Sequence, residues 1–261
     1  MVVKVIPKFK TCGFTHENPE VFVMSQWQNK PKSIIYLMYR WVFAIFFIFV
    51  LCYSMISSVE DDSINYWFIY LTNIGLLICT IYSVYAAIFV SIVHFGIISL
   101  ESNSFSYKVF WFLSNISIVL ALLISIVYWA TLYDWSKGLL TVLDFLIHAM
   151  NSVAMLIDLF IVLHPMYFFH VIYSLGVGLL YLIFSIIYYV SGGTDINGND
   201  YIYSILNWNK AGQTTGIVFA VIALAIILHC VAVGLHFGRA KLHRVATKGR
   251  QQSFEVNKPD V

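Results

Sequence analysis

Residues 139–163, LLTVLDFLIHAMNSVAMLIDLFIVL, form a run long enough to cross a bilayer as a helix and contain only two charges, Asp144 and Asp158. A helix rising 1.5 Å per residue crosses the hydrocarbon core with about 20 largely apolar residues. At 100° per residue, Asp144, His148, Asn151 and Asp158 fall within roughly ±40° of one line along that helix, with Ser152 beside it. Acids and an imidazole facing lipid would cost several kcal/mol, so the stripe is expected to point into a bundle. The run therefore predicts a membrane-spanning helix with a polar inner face.

Its flanks repeat the pattern. Apolar runs predict five further spans at about Ile34–Ile56, Tyr66–Val93, Tyr107–Ala130, Tyr167–Val190 and Gly216–Phe237, the fourth span being Leu139–Leu163. With 60% hydrophobic and only 11% charged residues, the chain departs from soluble globular composition, where about a quarter of residues are charged. The expected fold is all-α, a polytopic six-transmembrane-helix bundle. Three regions follow: an N-terminal segment 1–33, the membrane domain 34–238 and a basic tail 239–261. Short connections at 57–65, 131–138 and 164–166 predict antiparallel packing of successive helices.

Thirteen of the fifteen Lys and Arg residues fall on one side of this arrangement, and only Lys137 and Lys210 on the other. The bias predicts cytoplasmic N- and C-termini. The first 33 residues are polar and mixed, so the first span is expected to serve as an uncleaved anchor. Basic residues concentrated in the two tails fix topology and touch anionic lipid; the small net charge of +2 gives no footprint for nucleic acid. Cys12, Cys52, Cys79 and Cys230 are scattered and imply no disulfide framework. No HExxH, CxxC or spaced His/Cys set occurs, so neither a metal nor another cofactor is expected. The segment 192–200, with Asp195, Asn197 and Asp200, lacks the closing acid of a calcium loop because Ser204 stands there, and reads as a turn.

The second span opens with Thr72 and Asn73 and runs in the same direction as the fourth. Helical rise puts Thr72 about 9 Å, Asp144 about 8 Å, His148 about 14 Å and Asn151 about 18 Å from the outer ends of their spans. A shared polar pocket is therefore expected from Thr72, Asn73, Asp144 and His148, with Asn151, Ser152 and Asp158 further along. Thr72 as nucleophile, His148 as base and Asp144 as its orienter would suit acyl transfer from a lipid. The same cluster also suits interhelical hydrogen bonding without chemistry, and buried acids suit a transporter or channel.

The segments Phe14-Thr15-His16-Glu17-Asn18-Pro19-Glu20-Val21-Phe22, Ser25-Gln26-Trp27-Gln28 and Tyr39-Arg40-Trp41 resemble the opening of the Rolling stone family of animal membrane proteins. So do Tyr70-Leu71-Thr72-Asn73, His148-Ala149-Met150-Asn151-Ser152 through Asp158, and Gly192-Gly193 through Asn207-Trp208. The resemblance implies a multi-pass protein of the plasma membrane with a role in cell fusion, since the founding member is associated with myoblast fusion in insects. More distantly, the chain is similar to the androgen-induced transmembrane hydrolases, which cleave fatty acid esters of hydroxy fatty acids with a threonine and a histidine. That likeness implies a lipid ester as ligand and sets their threonine on Thr72, but their catalytic histidine falls on Asn151. An amide cannot take the threonine proton, which leaves His148 as the expected base.

Overall fold

The computed structural model describes residues 12–28, 30–100, 104–136 and 140–256. The basic residues Lys4, Lys8, Lys10, Lys137 and Lys258, the predicted first residue of the fourth span, Leu139, and the outer ends of segments 1–33 and 239–261 lie outside them. Six helices are long and apolar enough to cross a membrane. They are α1 (Ile34–Glu60), α2 (Leu71–His94), α3 (Ser104–Val127), α4 (Val142–Ile161), α5 (Val171–Val190) and α6 (Ala211–Val256). They alternate in direction. The end of the bundle holding residues 12–33 is called basal here, and the opposite end distal.

Local sequence sets the helix starts. The Ser33 hydroxyl accepts from the Tyr36 amide to open α1, and Thr141 Oγ1 accepts from the Asp144 amide at 3.0 Å to open α4. The predicted early start of the second span, at Tyr66, is instead a separate 3-10 turn over Ile64–Ile69, and α2 begins at Leu71. Helix α3 is central and packs on α2, α4, α5 and α6. At Gly75 of α2 an added Cβ would run into Ile124 of α3, so the glycine permits that close approach. Outward-facing residues such as Ile35, Leu180 and Phe219 are apolar and exposed, as a lipid-facing surface requires.

Both terminal regions depart from the sequence picture of polar appendages. Val21, Phe22 and Val23 are buried, Phe22 lying 4.9 Å from Tyr107 and 5.0 Å from Trp111 of α3, centroid to centroid. Helix α6 continues unbroken past Gly238 to Val256, because no proline interrupts it and Arg239 finds a buried seat.

That seat is the C-terminus of α4. The last carbonyls of a helix lack intrahelical partners and must be met from elsewhere. Here the Leu159 carbonyl accepts from Arg239 Nη1 and the Phe160 carbonyl from Trp27 Nε1 at 2.8 Å. The Ile161 carbonyl accepts from both Ser25 Oγ at 2.9 Å and the Gln26 amide at 2.8 Å. The Leu163 amide returns a bond to the Met24 carbonyl at 3.0 Å.

Candidate functional site: two polar clusters and a distal cavity

The polar face of α4 does turn inward: His148, Asn151, Ser152 and Asp158 are buried, and Asp144 is half-buried. The helix is not regular, however. A π turn over Leu146–Met150 advances the register between Asp144 and Asn151, and a second π turn, Tyr128–Leu132, extends α3 beside it. The two turns meet, with the Tyr128 and His148 rings stacked at 3.3 Å and 4°. Trp129 Nε1 donates to the His148 carbonyl at 3.2 Å. Such single-turn bulges interrupt the backbone ladder and concentrate at functional places.

The structure divides the predicted residues between two ends of the bundle. Distally, Asp144 Oδ1 accepts from Tyr128 Oη at 2.9 Å, and its Oδ2 from Thr141 Oγ1 at 2.7 Å. Asp144 and His148 are thus joined through Tyr128 rather than to each other. The Tyr203 hydroxyl accepts from the Thr72 amide at 3.5 Å and lies near the Thr72 and Tyr181 side chains. Among the described residues no hydrogen bond joins Thr72 to His148, whose Nδ1 is buried without a partner. Asn73 Nδ2 donates to the Trp67 carbonyl at 2.8 Å and fastens the turn before α2. Ser152 bonds back to the Ala149 carbonyl, and both amide atoms of Asn151 are buried without partners.

A cavity of about 370 Å³ opens at the same distal end. Thr72, Tyr128, Ser174, Tyr181 and Tyr203 contribute to its wall, and mostly aliphatic side chains of α2, α3, α5, α6 and the distal loop line the rest. Loop 191–207 roofs it. Gly192 and Gly198 take positive φ in that loop, and Asp195 Oδ1 accepts from the amides of Asn197 and Asn199, the Asx geometry of a plain turn. Burial pushes the Tyr203 phenol above its ordinary pKa, which favours its neutral form.

Basally, Asp158 belongs to a different assembly. Its Oδ1 lies 2.7 Å from Arg40 Nη1 and accepts from Tyr39 Oη at 2.8 Å, while Oδ2 accepts from Tyr82 Oη at 2.5 Å. Arg40, fully buried, also donates through Nε and Nη2 to the Tyr36 hydroxyl at 2.9 and 2.6 Å. Both carboxylate oxygens are occupied, so the cluster ties α1, α2 and α4 together instead of presenting an open site. In the sequence Arg40 enters through the charge bias and the Tyr39-Arg40-Trp41 motif, without an assigned partner. The available signal was charge balance, because an arginine and an acid both near the basal ends of their spans need one another in hydrocarbon.

The family model described as Protein rolling stone matches residues 6–256. The chain is similar to Protein rolling stone of Drosophila melanogaster, at 36% identity over 245 residues, covering 89% of this chain and 86% of that protein. No solved structure matches.

Proposed function

We propose that this chain, which belongs to the Rolling stone family, acts at the cell surface in membrane fusion or adhesion-linked differentiation, with both termini in the cytoplasm. One observation carries the reading: similarity to the Drosophila protein extends over nearly the whole length of both chains. The family match over residues 6–256 takes in the docked N-terminal segment and the distal loop as well as the helices. The charge bias along the chain supports the orientation, with six basic residues following Phe237 alone. A cell-mixing assay after depletion tests the role: multinucleation is expected to fall and to be restored by re-expression, whereas normal multinucleation overturns it. An epitope inserted at 195–199 should be stained on intact cells and terminal tags only after permeabilisation; the reverse pattern inverts the orientation.

A second reading, hydrolysis of a fatty acyl ester with Thr72 as nucleophile, is favoured by the place of Thr72 on a lipid-sized apolar cavity. His148, held by Tyr128 beside that wall, would have to reach Thr72 for the proton to be taken. A fluorophosphonate probe should label the purified protein and lose that labelling in Thr72→Ala. Absence of labelling where an active androgen-induced hydrolase is labelled discards this reading.

A further inference from the structure

The cavity spans much of the bundle. Its wall runs from Ser174 to Leu182 on α5 and from Val119 to beyond the end of α3, so it is about 12–20 Å long by helical rise. Leu179 and Ile222 line it and are accessible, Leu180 beside them faces outward, and the gap between α5 and α6 is therefore the side on which the cavity lies nearest the membrane. Among the described residues none of its lining side chains carries a formal charge.

Its polar groups are of two kinds. At the distal end the Tyr203 hydroxyl accepts from the Thr72 amide at 3.5 Å and Tyr181 Oη donates to the Ile69 carbonyl at 2.8 Å. Near the basal end Ser174 is 4% exposed and its hydroxyl has no partner. A helical serine can bond back to the carbonyl of the preceding turn, and an unsatisfied buried hydroxyl costs about 1–3 kcal/mol. An almost wholly apolar chamber does not hold water well, so water is a poor source for that missing bond.

We propose that this cavity binds one hydrocarbon chain of an uncharged lipid. The lipid enters between α5 and α6, its hydroxyl or ester carbonyl hydrogen-bonds Ser174, and its chain extends toward the roof formed by Tyr203. The absence of a lining cation disfavours a carboxylate or phosphate inside, because an unpaired charge there would be desolvated without compensation. A fatty alcohol and a monoacylglycerol both present the required group. The proposal concerns the same cavity as the hydrolase reading but requires no reaction at Thr72, so binding and turnover can fail separately.

The test uses full-length protein in detergent micelles and three photoreactive alkyne probes of equal chain length: a monoacylglycerol, a fatty alcohol and a free fatty acid. A Cβ at Gly178 meets nothing within 4 Å, so Gly178→Trp fills the chamber, and Gly178→Leu serves if the larger residue prevents folding. Crosslinks from one or both neutral probes are expected on Leu175 and Val221. Either filling variant should reduce them about tenfold, corresponding to 1.4 kcal/mol, while thermal stability is kept. Ser174→Ala should weaken both neutral probes toward the level of the free acid, and Ser174→Thr should restore them. Crosslinking and ester turnover are scored separately, so a protein that crosslinks the neutral probes without hydrolysing them keeps the binding site and loses only the hydrolase reading. Labelling spread evenly onto outward residues such as Leu180 and Phe219, or insensitive to Gly178 substitution, overturns the site. Equal labelling by the free acid overturns the uncharged specificity, and a sterol probe that displaces all three overturns the single-chain assignment.

Discussion

Replacing Asp158 with Asn leaves the Arg40 guanidinium buried against three tyrosines with no counter-charge, and removing one partner of such a pair costs about 3–5 kcal/mol. Thermal unfolding in detergent should therefore show a large loss for Asp158→Asn and for Arg40→Met. The double variant Arg40→Met with Asp158→Leu should recover most of it, since no charge remains to be desolvated. Additive losses in the double variant would show that the pair does not act as a unit. Tyr128→Phe makes a gentler change: it keeps the ring on His148 and deletes the bond to Asp144, at a cost of roughly 0.6–2 kcal/mol. A Tyr128→Phe protein as stable as the parent would mean that solvent replaces the bond to half-buried Asp144.

Among the helices, α4 depends most on its neighbours, since its basal carbonyls are met by Ser25, Trp27 and Arg239. Phe22→Ala, which empties the aromatic seat of the N-terminal segment, should cost about 3–5 kcal/mol and expose residues 14–28 to protease. Gly238→Pro should break α6, displace Arg239 and cost about 3 kcal/mol or more, read as a lowered Tm. The six spans were legible because their apolar runs match bilayer thickness, and the inward face of α4 because lipid excludes its polar residues. The π turns were not, since a one-residue advance leaves no mark on an apolar run. Docking of the N-terminal segment was hidden as well. Val21, Phe22 and Val23 are three consecutive apolar residues without period, and what their neighbours bind is backbone carbonyl, which no side-chain pattern reports. The same regularity assumption put Thr72 and His148 into one pocket by depth alone, where Tyr128 and Tyr203 in fact partner them.

In the molecule as a whole, α3 packs on four of the other five helices and α5 and α6 complete the outside of the cavity, so the last two spans build the site whose first wall is laid down by α2 and α3. The closure at the end of α4 has a counterpart in time. Residues 14–28 leave the ribosome before any span, yet their seat needs α3, α4 and, through Arg239 and the Trp27–His243 ring contact, the final helix. A segment synthesised ahead of all six spans is therefore among the last to settle, and a polypeptide arrested after α5 lacks the Arg239 donor to the Leu159 carbonyl and the His243 ring against Trp27.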